Sequence, residues 1–445
     1  MYKNYIMENL SLLDAKSVLY SIQCINGAVQ ITNHTFITNQ PHFVNAYLST
    51  ASIRNSTIFS INSDSIILAA VESNLTISDI KVRDLYTSEF GTFMQASFGS
   101  YVSLTNIEYT NSTMKFIETL SSQLQINTLS VFNISLTQHV IDFVDCQNIE
   151  LNDLVMHNIN TTKDYMMYMA RSSINQIMNM TVYDVDVTVL EILESNITLM
   201  DDIQIHDAVQ GIYARHSSIS IIQNSHIYRC GNSNLPFGGA INIKNSDMDM
   251  MNITLEYNTA QTGGAIHIDC DSYEICRNVI TNSTLSNNIA LKQGGAINYN
   301  FRRPKLSNMI YRNNMAVYGP DIASYPVRIV NSDMVDESMI LRNVASGIAY
   351  HETIKMSLID YDNQIMNLVS NSQIKIVPVT TDAKLQGVDY SVLINGESKF
   401  DNLQFVYGPG QENIEYIATC ELIDFEKVSY LNLPTNNSIE VSFRN

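Results

Sequence analysis

One short pattern recurs along most of the chain: an apolar residue, any residue, an Asn or Asp, and another apolar residue five positions after the first. Copies begin at Ile31, Ile53, Ile77, Leu104, Ile126, Leu151, Met178, Met200, Ile222, Met250, Ile280 and Leu306, in steps of 22–30 residues. Five positions on stand Phe36, Ile58, Val82, Tyr109, Val131, Met156, Tyr183, Ile205, Ile227, Leu255, Leu285 and Tyr311, every one apolar or aromatic. Only 45% of the chain is hydrophobic, so an unbroken column of this length reflects a repeat rather than composition. The position two after each start holds Asn33, Asn55, Asp79, Asn106, Asp153, Asp202, Asn224, Asn252, Asn282 and Asn308, with Thr128 and Met180 as exceptions.

Apolar residues two apart belong to a short strand with one face turned inward. An Asn or Asp at the following bend tolerates the left-handed backbone region and can bond to its counterpart one layer away, forming a ladder. A coil of about 25 residues holds three such strands, each pairing in parallel with the same strand of the next coil. No sustained 3.6-residue periodicity competes with this reading. The pattern therefore predicts an all-β chain whose residues 29–330 form a parallel β-helix of about twelve coils, preceded by a lead-in or cap over 1–28. At ~4.8 Å per coil the helix would be roughly 55–60 Å long.

Near the end of the repeat a glycine motif sharpens the picture. Gly-Gly-Ala-Ile begins at Gly238, Gly263 and Gly294, and a worn copy begins at Gly319, at steps of 25, 31 and 25 residues. Gly238, Gly239, Gly263, Gly264, Gly294, Gly295 and Gly319 are expected at a tight structural corner, with Ile241, Ile266, Ile297 and Ile322 stacking inward behind them. A further corner column would hold Cys230, Asn258, Asn288 and Asn314, together with Asn39. The longer middle step contains Cys270 and Cys276, which reads as a disulfide at the base of an inserted loop, Asp269–Arg277, ahead of the alternative of two free thiols. Beyond residue 330 the pattern stops. Residues 331–350 read as an irregular connection, and 351–445, with alternating short strands and turn signals at Asn395-Gly396 and Gly408-Pro409-Gly410, as a small antiparallel, Ig-like β-sandwich.

Motif and corner together resemble a known family. Tyr257-Asn258-Thr259-Ala260, followed after two residues by Gly263-Gly264-Ala265-Ile266, and Arg312-Asn313-Asn314-Met315-Ala316 look like repeats of chlamydial polymorphic outer membrane proteins. Their second motif, Phe-x-x-Asn, is matched by Phe36/Asn39, Leu255/Asn258, Leu285/Asn288 and Tyr311/Asn314. Similar repeats with segments like Tyr318–Ser324 resemble large surface proteins of ciliates. The resemblance implies a right-handed, pectin-lyase-like β-helix and a surface or adhesive role.

Charge removes one class of partner. With 25 Lys and Arg against 44 Asp and Glu, a net charge of −19 excludes nucleic acid and anionic membrane surfaces. No apolar run has the length of a signal peptide or a membrane span, so no direct membrane insertion is expected from this segment. The chain is read as an extracellular or cell-surface piece of a larger protein. Among its Asn-x-Ser/Thr sites, Asn33, Asn55, Asn252 and Asn282 fall in the ladder and are expected to be inaccessible. Asn74, Asn111, Asn133, Asn160, Asn179 and Asn196 are the candidate glycan acceptors.

Catalysis on polysaccharides needs carboxylates brought together on one outer face. The adjacent pair Asp201-Asp202 sits at the ladder, Asp79 and Asp153 lie coils away, and His206, His216, His226 and His267 fall in different columns. No catalytic, cofactor or metal residue is assigned. The expected function is a non-enzymatic adhesive or binding ectodomain, or a structural spacer, facing an unknown protein or glycan. The alternative is a polysaccharide-active (hydrolase or lyase) or carbohydrate-binding protein. The inserted loop and Tyr165–Met169 are candidate contact segments, the latter reading first as core packing in an irregular coil.

Overall fold

Alternating inward apolar residues and left-handed bends build the first part of the chain layer by layer. The computed structural model describes residues 4–444 except 9–10, 14–21, 34, 38–43, 89, 272–275, 333–338 and 434–436. Asn39 and the tip of the inserted loop therefore lie outside the described residues. The chain divides into two units, Met1–Ile289 with Pro304–Asn314, and Ala290–Arg303 with Met315–Asn445.

In the first unit, Ile31, Ile53, Ile77, Leu104, Ile126, Leu151, Ile177, Met200, Ile222, Met250, Ile280 and Leu306 pair in parallel, each with the next. The chain is thus all-β, with a parallel β-solenoid of about twelve turns. Parallel pairing starts early, because Asn4–Glu8 already pairs with Ala28–Thr32.

One coil is read one residue out of register from sequence. Its first inward residue is Ile177, not Met178, and Asn179, not Met180, takes the bend with φ +52°. Met180 is buried between Leu154 and Ile203, and Val182 rather than Tyr183 fills the later inward column. Two adjacent apolar residues, Ile177 and Met178, allow either register in sequence. The period-2 geometry of the strand admits only one, since a slip turns every side chain to the opposite face.

The bend residues of all twelve coils have φ between +46° and +65°, Thr128 included. Amide Nδ2 groups donate along the stack from Asn55 to Asn33 (2.6 Å), Asn106 to Asp79 (2.8 Å), Asn179 to Asp153 (2.7 Å), Asn252 to Asn224 (2.7 Å) and Asn308 to Asn282 (2.9 Å). At Asp202 the ladder departs from expectation: Asn224 donates instead to Asp201 (2.9 Å). A second ladder at the next bend joins Asn133 to Asn111 (3.1 Å) and Asn158 to Asn133 (2.6 Å).

The ladder side chains are solvent-exposed, so the expected inaccessibility of Asn33, Asn55, Asn252 and Asn282 does not follow from burial. What separates the acceptor sites is whether the amide is already engaged. Asn111, Asn133 and Asn179 belong to ladders, whereas Asn74, Asn160 and Asn196 are exposed and make no ladder bond. Secretion from a glycosylating host is therefore expected to yield sugar on Asn74, Asn160 and Asn196 and none on Asn133 or Asn179. Site-resolved mass spectrometry of glycopeptides reads this directly, and full occupancy of Asn179 would contradict it.

Two interior ladders satisfy backbone groups that leave strand pairing at the corners. The N–H of Ser49 donates to Ser73 Oγ (3.0 Å), Ser73 to Ser100 (3.2 Å), Cys146 to Ser172 (3.0 Å), Ser172 to Ser195 (2.9 Å), Ser195 to Ser217 (3.1 Å) and Ser217 to Ser246 (3.0 Å). At the opposite corner Cys230 N–H donates to Asn258 Oδ1 (3.0 Å), and Asn258 and Asn288 donate onward to Asn288 and Asn314 (3.1 Å each). The glycine corner has two physical reasons. Gly238 has φ +55°, and a Cβ on Gly239 would lie 2.6 Å from the Gly264 carbonyl oxygen. Cys270 and Cys276 are disulfide-bonded.

Five strands of this unit position the site: β1 (Lys115–Leu120), β2 (Ile141–Val144), β3 (Tyr165–Ala170), β4 (Ser173–Leu193) and β5 (Asn196–Arg215).

The second unit contains a β-sandwich region. A three-stranded sheet of Pro326–Asn331, Ile354–Asp360 and Glu397–Phe400 accompanies a five-stranded sheet in the order Met339–Val344, Ser438–Phe443, Ile414–Cys420, Gln373–Pro378, Tyr390–Val392. Leu358, Ile374, Phe405, Tyr416 and Val441 are fully buried in its core. Pairing is antiparallel except between Met339–Val344 and Ser438–Phe443, which run parallel, so the stretch read as an irregular connection contributes a strand. Among the described residues no helix is long and apolar enough to cross a membrane.

Candidate functional site

The short third strands of the middle coils follow an apolar–polar–apolar rhythm that sends every second side chain outward. In β2, Ile141 and Phe143 point into the core and Asp142 points out; in β3, Met167 and Met169 point in and Tyr168 out; in β4, Leu190 and Ile192 point in and Glu191 out. Register aligns these outward residues into one column, Glu118, Asp142, Tyr168, Glu191 and Tyr213. Tyr165, Thr188 and Gln210 form a second column beside it. The Met/Tyr segment thus divides between both expected roles: Met166, Met167 and Met169 are core, while Tyr165 and Tyr168 face outward, half-buried.

Two carboxylates on this face are held in opposite ways. Asp142 is bonded by Lys115 Nζ at 2.5 Å and His139 Nδ1 at 2.7 Å, with only 12% of its side chain exposed. Burial alone would disfavour its charge, but the His139 hydrogen bond and the Lys115 charge outweigh this and hold the carboxyl below the usual Asp range. Glu191 is 1% exposed and ion-paired with Arg215. There burial dominates and pushes the carboxyl above the usual Glu range, with Arg215, His139 and Tyr165 offsetting part of it.

Aromatic rings fill the space around the two acids. His139 stands 5.3 Å from the Tyr168 ring and 6.3 Å from Tyr165; Tyr165 is 6.5 Å from Tyr213. The Arg215 guanidinium lies 5.2 Å from the Tyr213 ring centre. Burial, then the nearby Glu191 charge, pushes the Tyr165 phenol up to about 12, so it is a hydrogen-bond donor throughout the neutral range. Glu191 follows Asp142 by two coils, which sets their backbones about 10 Å apart.

The pair has an expected signature in acid unfolding. The ionised form of Asp142 stabilises the fold fully above its ordinary pKa of about 3.9, and that contribution is lost as pH falls through the depressed folded value. Glu191 has the opposite sign: its protonated form favours the fold below about 4.3, a contribution lost as pH rises through the elevated value. Denaturant titrations between about pH 2 and 7 should show a shallower acid-side loss of stability in Asp142→Asn and no such flattening in Glu191→Gln.

On another outward column, Phe132, His157, Tyr183, His206 and Tyr228 stack ring on ring at 5.3, 4.7, 5.1 and 4.5 Å. Asp207 binds His206 at 2.7 Å and Arg229 at 2.6 Å; the Arg229 hydrogen bond first, and His206 after it, hold its carboxyl at about 2. The ring faces are occupied by one another, so this column is a spine along the coils. His226 pairs with Glu256 (2.9 Å) and, like His206, stacks on Tyr228 (4.3 Å), whereas His267 stacks on Phe237 (4.4 Å). Among the described residues no group of His, Cys, Asp or Glu is arranged to hold a metal ion.

Sequence reasoning missed Asp142 and Glu191 by following the ladder acids. The available signal was an acid inside an apolar triplet, Ile141-Asp142-Phe143 and Leu190-Glu191-Ile192, repeated 49 residues apart, about two coils.

No family model and no curated protein matches this chain, so the polymorphic outer membrane resemblance rests on the repeat motifs alone. Solved structures with a similar trace include phage tailspikes. The tailspike of Escherichia coli bacteriophage HK620, described in complex with a pentasaccharide, is 9% identical with TM-score 0.28, covering 94% of this chain and 86% of that one. Tailspike protein 2 of the E. coli bacteriophage CAB120 is 10% identical with TM-score 0.29, covering 94% of this chain and 64% of its own. The expectation of a non-enzymatic adhesive ectodomain or spacer, which rested on finding no carboxylates on one face, is corrected: Asp142 and Glu191 share an outward column, and the polysaccharide-active or carbohydrate-binding alternative is the reading carried forward.

Proposed function

We propose that this chain is an extracellular polysaccharide-active β-helix protein whose glycan lies across the outward face of β1 to β5. The observation that carries the reading is the pair Asp142 and Glu191, two buried carboxyls on one face with pKa values moved in opposite directions. Glu191 is the general acid that protonates the departing glycosidic oxygen. Asp142, kept ionised by His139 and Lys115, is the base that activates a water. Inverting glycosidases hold their two carboxyls roughly 6.5–9.5 Å apart, a spacing that backbones about 10 Å apart accommodate with a water between them. Tyr165, Tyr168 and Tyr213 supply flat, half-buried rings for sugar faces, with hydroxyls to bond sugar oxygens. The disulfide at Cys270–Cys276 supports an oxidising compartment.

One observation favours a second reading, binding without cleavage: both carboxylates already have cationic partners, Lys115 and Arg215. Incubation of the chain with a panel of purified polysaccharides separates the two. New reducing ends support hydrolysis, retention without release supports a binding module, and neither outcome with any glycan overturns both.

A further inference from the structure

The outward column that carries Asp142 and Glu191 does not end at Tyr213. Parallel pairing continues it to Asn242, in the strand Ile241–Lys244, and to His267, in Ile266–Asp269. We infer that the Phe237 ring, stacked over this continuation, is a platform for one uncharged sugar unit of a glycan that also crosses the acid pair. The inference rests on the reading of that face as the glycan face. It extends the bound chain about three coils past Glu191, roughly 14 Å at about 4.8 Å per coil.

Access gives the first argument. Phe237 is 45% exposed. One face of its ring stacks on His267, with centroids 4.4 Å apart and planes at 21°, and His267 is buried beneath it. No other ring or cation lies against Phe237 among the described residues, so its exposure belongs to the opposite face and the edge. The backbone that carries the ring is fixed. Gln210, from the second column of the site, donates through Nε2 to the carbonyls of Phe237 and Gly238, at 2.7 Å each. The Gly238 N–H donates to the Thr262 carbonyl and the Thr262 N–H to the Pro236 carbonyl, both at 3.1 Å. A ring held this way has little freedom left to lose when a ligand stacks on it.

Chemistry gives the second. Asn242 is half-buried in the column between Tyr213 and His267, and its side chain makes no hydrogen bond among the described residues. Its amide offers a donor and an acceptor to sugar hydroxyls. Lys244, in the same strand, is engaged by Asp269 (3.8 Å) and Asp271 (3.5 Å), which leaves no net positive charge to attract a sugar carboxylate. The residues leading to the ring, Asn232, Ser233 and Asn234, are exposed and polar. A lone flat ring in polar surroundings suits the apolar face of one sugar, whereas a protein partner calls for a contiguous apolar patch.

The chain has no tryptophan, so Phe237→Trp places a single indole reporter at the platform. The test is fluorescence titration of the full chain carrying Phe237→Trp together with Glu191→Gln, which keeps the probe uncleaved. The probes are cellohexaose, maltohexaose and chitohexaose, their disaccharides, and hexagalacturonate. The expected result is a saturable emission change with a neutral hexasaccharide. Its disaccharide, too short to reach both the platform and the acids, and hexagalacturonate should each bind at least about tenfold more weakly. Adding Asn242→Ala should weaken the titration several-fold, and Phe237→Ala, followed by calorimetry, should do the same to the hexasaccharide. An emission change without cleavage by the unaltered chain would support the platform and count against the catalytic reading alone. A hexasaccharide cleaved or retained with the indole silent and Phe237→Ala without effect would overturn the platform and leave the acid-pair reading standing. No emission change with any probe, or a disaccharide or hexagalacturonate binding as tightly, would also overturn the inference.

Discussion

Replacing Asp142 by Asn or Glu191 by Gln is expected to lower glycan turnover by about 10²–10⁴-fold while leaving glycan retention within a few-fold of the unaltered chain. Both substitutions preserve shape and remove the ability to carry or release a proton. Their effects should differ with pH. Asp142→Asn removes the base and with it the acid limb of the rate profile, whereas Glu191→Gln removes the acid and the alkaline limb. A leaving group that needs no protonation, such as a nitrophenyl glycoside, should restore rate to Glu191→Gln and not to Asp142→Asn. The two-coil spacing further leads to inversion at the anomeric carbon, read from the first product seen by proton NMR. The ion pairs matter to the same result. Arg215 keeps Glu191 within reach of ionisation, so Arg215→Ala should push the Glu191 carboxyl higher still and move the alkaline limb upward.

A large loss of stability is expected at Asn288, a polar position, on the scale of truncating a buried apolar side chain. This side chain is fully buried and makes four bonds at once. Nδ2 donates to the Leu255 carbonyl (2.9 Å) and to Asn314 Oδ1 (3.1 Å), while Oδ1 accepts from the Asn258 N–H (3.0 Å) and Asn258 Nδ2 (3.1 Å). Asn288→Leu keeps most of the volume but leaves the Asn258 N–H and the Leu255 carbonyl without partners. Each orphaned buried group costs about 1–3 kcal/mol, so the substitution should cost about 3–5 kcal/mol. Asn252→Ala, which removes one exposed ladder bond of 2.7 Å and puts Ala at φ +55°, should cost about 1–2 kcal/mol. The shift in denaturation midpoint of the two variants, measured side by side, gives the comparison. Equal losses would show that the interior column is no more than a copy of the exterior one.

That contrast explains what was legible in the sequence. The solenoid was readable because inward columns repeat one property in every coil, so that Ile31 to Leu306 announce themselves by count. Even there, the Ile177-Met178 pair hid the true register, since sequence cannot say which of two adjacent apolar residues faces in. The serine column was invisible for another reason. Serine is common throughout this chain, and only the fold reveals that Ser172, Ser195 and Ser217 occupy the same corner.

The site was hidden because its outward column mixes acids and tyrosines instead of repeating one property in every coil. Their column runs Glu118, Asp142, Tyr168, Glu191, Tyr213, and what distinguishes the two acids comes largely from neighbours about one coil away in sequence: Lys115 lies 27 residues before Asp142, and Arg215 lies 24 after Glu191. A carboxylate's environment in a solenoid is set by adjacent layers. Motifs that look along one stretch of chain miss it, and the absence of adjacent acids in sequence says little about acids on one face.

The most direct test of the proposed site is a crystal structure of Glu191→Gln soaked with the oligosaccharide that the unaltered chain releases. The expected result is a sugar chain crossing the outward face of β1 to β5, with one glycosidic oxygen within hydrogen-bond reach of the residue 191 amide and a water between the sugar and Asp142. A sugar chain bound elsewhere, with this face empty, would contradict the assignment.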